Sequence, residues 1–302
     1  MTYLPFSPDP RPLGKSGIMV SPIAWGMWRF AGAGVDEGRK LVEAAFEAGV
    51  TLFDTADIYG FTGIEGFGDA ETLLGDIFAA APGLRDRMVL ATKGGITPPV
   101  PYNSSRDYLM EALENSIHRL RTDRVDLYQI HRPDILTHPQ EVARTLEDMV
   151  ASGKVRAIGV SNYTLEQTRA LTSLLTVPLA STQPEFSPLW TEPMTNGLFD
   201  LAMADDIAIL PWSPLGGGRI AKPGTEREHA VAAALDRKAE AASVSRASAA
   251  YSWIMAHPAR PIPIVGTQNA ERIAEIAQVF GVRWTRAEWY DVLVASRGER
   301  LP

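Results

Sequence analysis

Short apolar runs alternate with longer amphipathic stretches along the whole chain of 302 residues. Apolar runs of about four to eight residues are typical of buried strands, and apolar positions three and four apart predict helices. The predicted strands span residues 23–26, 51–54, 88–93, 125–131, 155–160, 179–183, 207–211 and 261–265. The predicted helices span residues 35–48, 70–80, 106–120, 139–152, 165–174, 196–204, 226–256 and 269–280. Such alternation predicts a parallel sheet covered by helices.

The number of strand–helix units favours an α/β fold of the closed type, the (β/α)8 TIM barrel, over an open doubly wound sheet. An open sheet usually carries a glycine-rich dinucleotide loop after its first strand, and none follows residue 26. Two segments lie outside the repeat. We expect an N-terminal β-hairpin, turning at 15–17, to close the barrel floor, and a C-terminal helix around 284–296 to pack outside. Residues 1–302 should then form a single domain.

Composition excludes several classes of protein. The chain has no cysteine, which rules out disulfides and thiolate chemistry and fits a cytoplasmic protein. A formal net charge of −7, without clustered Lys and Arg, argues against nucleic acid as a partner. No apolar run approaches the length of about 18 residues that a membrane span needs, and the first ten residues do not resemble a signal peptide. We therefore expect no membrane association.

Polar residues terminate the predicted strands at the end where barrel enzymes place their chemistry. Asp54, Lys93 and His131 close three consecutive strands. Each alone could be an ordinary strand end, but together they form a convergent ionisable cluster, which favours a catalytic site. Tyr59 follows Asp54 on the next loop. We expect Lys93 to lower the pKa of this phenol from about 10 towards neutral pH and so make it a general acid. His131 would orient a substrate oxygen.

At these residues the chain resembles the aldo-keto reductase superfamily. The resemblance is carried, in order, by Phe53-Asp-Thr-Ala-Asp-Ile-Tyr-Gly60, Ala91-Thr-Lys93, Asp126-Leu-Tyr-Gln-Ile-His131, Gly159-Val-Ser-Asn162 and Trp212-Ser-Pro-Leu215. It implies a catalytic tetrad of Asp54, Tyr59, Lys93 and His131, which coincides with the strand-end cluster. It also implies an NAD(P)H-dependent oxidoreductase that reduces aldehydes or ketones to alcohols. Hydride would come from the nicotinamide and the proton from Tyr59.

The resemblance also assigns residues to the cofactor. Ser161, Asn162 and Gln183 would bind the nicotinamide carboxamide, and Trp212 would lie against the nicotinamide ring. The other expected cofactor-binding residues are Met27, Trp28, Asp54, Ser213, Leu215, Gly217, Arg219, Gly266, Thr267, Gln268, Arg272 and Glu275.

Two of these segments have alternative interpretations. Three successive glycines at 216–218, followed by Arg219, predict a phosphate loop, because glycine lets backbone N–H groups approach phosphate oxygens; a flexible turn is the alternative. Trp28 follows Met27 where the family has a Gly-Thr-Trp signature. It is interpreted as a wall of the substrate pocket, with a core tryptophan as the alternative.

The segment 264–275 resembles the motif by which the family holds the adenosine phosphate. Thr267 and Arg272 would bind the 2′-phosphate and Glu275 the adenine. Gly266 stands where many members have lysine, and Ile276 where they often have asparagine. Losing the lysine removes one cation, but the guanidinium of Arg272 still suits a phosphate dianion, so NADP(H) is favoured over NAD(H).

Two other functions are alternatives to carbonyl reduction. A cofactor-binding regulatory or interaction subunit with slow turnover stays open. A metal-dependent hydrolase is disfavoured, since His131 alone of five histidines ends a strand, and no metal site is predicted. The substrate should be a small carbonyl compound, selected by aromatic and apolar loops at 61–68, 95–105 and 185–193 and by the C-terminal tail. A monomer is the default expectation.

Overall fold

Residues 2–301 are described here from a computed structural model of the protein. A short N-terminal hairpin is formed by β1 (Arg11–Pro12) and β2 (Met19–Val20). The parallel strands that follow are β3 (Ala24–Gly26), β4 (Leu52–Asp54), β5 (Val89–Gly94), β6 (Val125–Ile130), β7 (Val155–Ser161), β8 (Leu179–Gln183), β9 (Ala208–Ile209) and β10 (Ile264–Val265).

Helices follow the strands along the chain. They are α1 (Val35–Glu47), α2 (Asp69–Ala80), α3 (Arg106–Arg119), α4 (Pro139–Ala151), α5 (Leu165–Thr172), α6 (Leu198–Asp205), α7 (Glu226–Ala242), α8 (Arg246–Met255), α9 (Ala270–Ala274) and α10 (Arg286–Arg297). The starts of α5, α7 and α10 are each fixed by a capping box, in which threonine and a Gln or Glu three residues on satisfy each other's backbone N–H groups.

The parallel strands lie in the order β10-β3-β4-β5-β6-β7-β8-β9. Two further hydrogen bonds join the outer strands, from the N–H of Ile262 to the carbonyl of Ile209 at 2.8 Å and from the N–H of Ile264 to that of Pro211 at 3.0 Å. The sheet is therefore closed on itself, and the predicted (β/α)8 barrel is confirmed. β9 and β10 are shorter than predicted, because prolines at 211, 261 and 263 cannot donate to a ladder.

The hairpin covers the amino ends of the strands. Leu13, Ile18 and Val20 from the hairpin pack against small and aliphatic residues that point into the barrel, such as Ala24 and Leu52. Gly14, with φ of 54°, lies so close to barrel backbone that a Cβ would collide with the carbonyl of Ala180. The predicted floor plug is confirmed.

The C-terminal helix packs on the outside of the barrel, as predicted. Trp289 of α10 stacks on Trp253 of α8 with ring centroids 4.7 Å apart and planes 9° from parallel. Each indole N–H donates to the backbone carbonyl of the other residue, at 2.9 and 3.0 Å. The predicted helical region 226–256 is divided into α7 and α8 at Ser243, which has a left-handed φ of 54°.

No helix within residues 2–301 combines the length and apolar character needed to span a membrane.

Candidate active site

A buried lysine gathers three oxygens at the carboxyl ends of β4 and β5. Lys93 Nζ donates to Asp54 Oδ2 at 2.7 Å and to Tyr59 Oη at 3.1 Å. Its remaining N–H bonds the carbonyl of Thr55 at 2.8 Å. An ammonium has three protons and no lone pair, so its hydrogen-bonding capacity is used up. Tyr59 Oη must therefore accept from Lys93, which leaves the phenolic proton free for another acceptor.

The loop that carries Tyr59 is held by its backbone. The N–H of Asp57 donates to the carbonyl of Lys93 at 3.0 Å, and the N–H of Ala70, in the first turn of α2, donates to the carbonyl of Tyr59 at 3.1 Å. The same strand residue thus binds the loop through its carbonyl and the phenol through its ammonium. This double attachment fixes the phenol relative to the barrel mouth.

A layer of amides lies beneath the ion pair. Asp54 Oδ1 accepts from Gln129 Nε2 at 3.2 Å and from Gln183 Nε2 at 3.1 Å. Gln129 Oε1 in turn accepts from Ser181 Oγ at 3.2 Å. Both oxygens of the buried carboxylate are satisfied, which is what an ion pair removed from water requires.

Gln129 is not among the site residues expected from the sequence. The alternation of side chains along a strand could have identified it. Leu127, two residues earlier, points into the barrel interior. Gln129 must then point inward as well. A glutamine at an inward position, next to the strand end at His131, is the pattern that identifies this residue.

Electrostatics at the ion pair correct one expectation. Burial alone would lower the pKa of Lys93, but the charges of Asp54 and Tyr59 outweigh it, so the pKa lies above its usual value. Burial also raises the pKa of Tyr59, with Lys93 opposing and Asp54 adding to the rise. The expectation that Lys93 brings the phenol pKa towards neutral pH is wrong. Desolvation exceeds the effect of an ammonium whose charge is shared with a carboxylate.

His131 lies beside the phenol. Its ring and that of Tyr59 are 5.7 Å apart in an edge-to-face arrangement, with planes at 77°. Burial, helped by the charges of Lys93 and Arg132, lowers the pKa of His131 well below its usual range. The imidazole is therefore neutral at physiological pH and has one N–H to donate. His131 Nδ1 is buried and has no hydrogen-bond partner in the described part of the chain.

The predicted carboxamide-binding residues are hydrogen-bonded to one another. Asn162 Nδ2 donates to the carbonyl of His131 at 3.1 Å and to Ser161 Oγ at 2.8 Å. Asn162 Oδ1 accepts from the indole of Trp212 at 3.0 Å. Ser161 Oγ donates to the carbonyl of Gln183 at 3.0 Å. The group is thus prepositioned at the barrel mouth, with a lone pair of Asn162 Oδ1 still open to a donor.

The glycine loop, Gly216–Gly218, follows Ser213 and Leu215 and is a tight turn, not a regular helix. Its three φ angles are 59°, 68° and 95°, values that favour glycine. The guanidinium of Arg219 already has two partners within the protein. Its Nε donates to the carbonyl of Gly216 at 2.8 Å, and its Nη1 lies 3.5 Å from Glu228 Oε1. Apart from the adjacent residues, no atom of the described chain lies within 4 Å of a Cβ placed on Gly217 or Gly218, so one face of the loop is open.

The segment with Thr267 and Arg272 is tied to the first barrel strand. The indole of Trp25 donates to the carbonyl of Thr267 at 2.9 Å, and Gln268 Nε2 donates to that of Gly26 at 3.0 Å. Arg272 is exposed, and its guanidinium makes no ion pair with any residue in the range 2–301. Gly266 is also exposed and Glu275 half-buried, so this surface is accessible.

Met27 and Trp28 differ in exposure. The Met27 side chain is fully buried in the main hydrophobic cluster, so only its backbone could contribute to a cofactor site. Trp28 is 64% exposed, which removes the alternative of a core tryptophan. Further large side chains exposed on rim loops are Ile64, Tyr102, Ile135, Leu136 and Trp190. Within residues 2–301 no group of three or more His, Asp or Glu side chains is arranged to hold a metal ion.

The barrel, the strand-end cluster and the motifs that carry it agree with one family. Residues 22–292 match the Aldo/keto reductase family, and the chain belongs to it. This confirms the resemblance noted in the sequence and makes the protein an oxidoreductase of a family that uses nicotinamide cofactors and acts on small carbonyl compounds.

The chain is similar to named reductases and to a solved structure over nearly its whole length. It is 60% identical over 304 residues to the 6-dehydroglucose reductase of Novosphingobium aromaticivorans, covering 100% of both chains. It is 37% identical over 302 residues to the 6-dehydroglucose reductase of Agrobacterium fabrum, covering 94% of this chain and 97% of the relative. A solved thermostable aldo-keto reductase in complex with the inhibitor epalrestat has a TM-score of 0.82 at 23% identity, over 95% of this chain and 99% of that one. That likeness supports the fold.

Proposed function

We propose that the protein reduces the carbonyl group of 6-dehydroglucose to an alcohol, using NADPH, with Tyr59 as the general acid. The mechanism is supported by the three hydrogen bonds that Lys93 Nζ donates, one of them to the phenolic oxygen of Tyr59. Because Lys93 is the donor in that bond, the phenolic proton is left for a substrate. The substrate is supported by the relative of that name at 60% identity.

Tyr59, Lys93 and Asp54 have different roles in proton transfer. A carbonyl oxygen placed against Tyr59 Oη would accept the phenolic proton as negative charge develops on it. The phenolate that remains is stabilised by Lys93 at 3.1 Å. Asp54 holds that ammonium charged and in place, and Gln129 and Gln183 hold Asp54. The phenol therefore acts as an acid whose conjugate base has a cation already beside it.

His131 orients the substrate in this scheme. As a neutral imidazole it can donate one hydrogen bond to the same carbonyl oxygen without competing as an acid. Two donors, Tyr59 and His131, would fix the oxygen, and this alignment restricts which face of the carbonyl carbon is exposed to reduction.

The residues present fit a nicotinamide dinucleotide. Ser161, Asn162 and Gln183 would hold the carboxamide, Trp212 would lie along the ring, and the open face of Gly217 and Gly218 would admit the pyrophosphate. The other residues proposed to contact the cofactor are Met27, through its backbone, and Trp28, Asp54, Ser213, Leu215, Arg219, Gly266, Thr267, Gln268, Arg272 and Glu275. When bound, the reduced cofactor supplies the hydride.

The rim suits a compact substrate with both apolar and polar faces. Trp28 and Trp190 offer exposed aromatic surfaces, against which the C–H groups of a sugar ring can pack, while their indole N–H groups can bind hydroxyls. The regulatory role considered above is not favoured, since the catalytic groups are fully assembled and both relatives are named as reductases.

Turnover tests the substrate directly. Purified protein with NADPH should consume cofactor when 6-dehydroglucose is added, with a kcat/KM at least about tenfold above that for a simple aliphatic aldehyde, because only the sugar fills the aromatic rim. Absorbance at the nicotinamide band measures the rate. Equal or lower kcat/KM for the sugar would contradict the assigned substrate, and lack of turnover with every aldehyde would favour the regulatory role.

Cofactor preference depends on Arg272. Arg272→Leu should weaken NADPH binding by about 10- to 100-fold, the effect of losing a charge-assisted contact to a phosphate dianion, and should leave NADH binding nearly unchanged. Fluorescence titration of both cofactors measures this difference. Arg237→Leu, at an exposed site on α7, is the matched control. Tighter binding of NADH than NADPH by the unmodified protein would reject the preference.

A further inference from the structure

A pocket of about 840 Å³ lies at the barrel floor, opposite the site described above. Its walls come from the N-terminal segment, from the end of α8 and the turn after it, and from the first half of α10. The residues that form the pocket include Arg11 of the hairpin and Pro22, which precedes the amino end of the first barrel strand. The pocket is therefore separated from Tyr59 by the length of the barrel.

The charge of this pocket is the reverse of the charge of the chain. Arg11, Arg260 and Arg286 line it, and no Asp or Glu among residues 2–301 does. None of the three guanidiniums makes an ion pair with a residue in the part of the chain that the structure describes. Three unpaired arginines in one concavity are unusual for a protein whose net charge is −7.

Arg11 has the strongest need for a partner. Its Nε and Nη2 are buried and have no hydrogen-bond partner among the described residues. Burial, and next to it the charge of Arg260, lowers the pKa of Arg11 to about 9. An unpaired guanidinium held out of water beside another cation is costly. An anion in the pocket would pair with Arg11 and offset its repulsion from Arg260.

The rest of the lining is apolar and aromatic. Leu4, Phe6 and Met255 form one part of the wall, and Trp289 and Tyr290 form another. The volume lies within the range of about 300–1,000 Å³ that is common for small-molecule sites. A guanidinium cluster beside aromatic surface matches a ligand with an anionic head and a planar apolar body.

We propose that this floor pocket binds a small organic anion, an aromatic phosphate monoester in its chemical class, with the phosphate on Arg11, Arg260 and Arg286 and the ring against Trp289 and Tyr290. Phosphate is preferred because planar guanidiniums bind its oxygens in bidentate fashion and a dianion balances more than one of them. The site is independent of the proposed reduction and uses none of its residues.

The test is calorimetric titration of phenyl phosphate into the full-length protein, with NADP⁺ at saturation to fill phosphate sites at the barrel mouth. Arg11→Met and Arg260→Met should each weaken binding at least about tenfold, the expected effect of losing one charge-assisted contact. Arg237→Met, on the exposed surface of α7, should not change it. Inorganic phosphate and benzoate, titrated in parallel, should both bind more weakly than phenyl phosphate, since inorganic phosphate lacks the aromatic ring and benzoate carries one negative charge in place of two.

Thermal unfolding separates a binding role from a structural one. Without ligand, Arg11→Met should raise the Tm, because it removes a buried unpaired charge; a structural arginine would lower it. Arg260 is exposed, so its variant keeps the binding test valid even if Arg11→Met folds poorly. Absence of phenyl phosphate binding at about 10 mM, or equal binding by both variants and the unmodified protein, would overturn the proposal. So would a change of oligomeric state in the variants without binding, which would assign the pocket to a protein contact.

Discussion

The Tyr59→Phe variant is expected to lower kcat for carbonyl reduction by about 10²- to 10⁴-fold while NADPH affinity stays within a few-fold of the unmodified protein. The substitution removes the one proton that Lys93 leaves available, since Lys93 donates to the phenolic oxygen and cannot accept from it. The aromatic ring, and with it the packing against His131, is kept. Single-turnover measurements with bound NADPH isolate this step from product release.

Tyr128→Phe is the matched control. The Tyr128 hydroxyl is buried on β6 and has no hydrogen-bond partner within residues 2–301, so its removal should leave the rate unchanged. Near-normal turnover by Tyr59→Phe would exclude Tyr59 as the acid.

The pH dependence of kcat gives a second check. Because the pKa of Tyr59 is raised and that of His131 lowered, neither group titrates between about pH 6 and 9, and kcat should be flat there.

Lys93→Met should reduce kcat by a comparable factor and also destabilise the fold. The phenolate would lose its neighbouring cation, and Asp54, which is almost fully buried, would be left with only the two glutamine amides. Removing one partner of a buried ion pair typically costs about 3–5 kcal/mol of unfolding free energy. Urea denaturation measures the loss of stability, and turnover at low temperature measures the loss of activity on folded protein.

The double variant Asp54→Leu/Lys93→Met separates the two effects. With both charges removed, no unpaired ion is buried, so a large part of the stability should return while activity stays low. If Lys93→Met alone folds with unchanged stability and turns over normally, the ion pair has neither of the roles assigned to it.

Much of the site could be predicted from sequence because parallel strands place their carboxyl ends together. Asp54, Lys93 and His131 each close an apolar run, and the closed barrel brings them to one mouth. The hydrogen bonds within that mouth could not be predicted. Gln129 is identified only once the inward face of its strand is known.

Other features depend on burial, which a local pattern does not determine. The direction of the Tyr59 pKa shift depends on how much water the fold removes from the phenol, and here that exceeds the influence of Lys93. The floor pocket, likewise, could not be predicted from a local sequence pattern. Arg11 lies on the hairpin, Arg260 in the turn after α8 and Arg286 at the start of α10, and only the packing of these three segments brings them to one cavity.

The proposed reaction is the transfer of hydride to the carbonyl group of 6-dehydroglucose, with Tyr59 supplying the proton. The most direct test uses NADPH carrying deuterium at the transferable nicotinamide position, with mass spectrometry of the sugar product. We expect glucose with a single deuterium on the carbon that bore the carbonyl group, and almost no such product from the Tyr59→Phe variant. Unlabelled glucose, or no glucose from protein that binds both NADPH and the sugar, would contradict it.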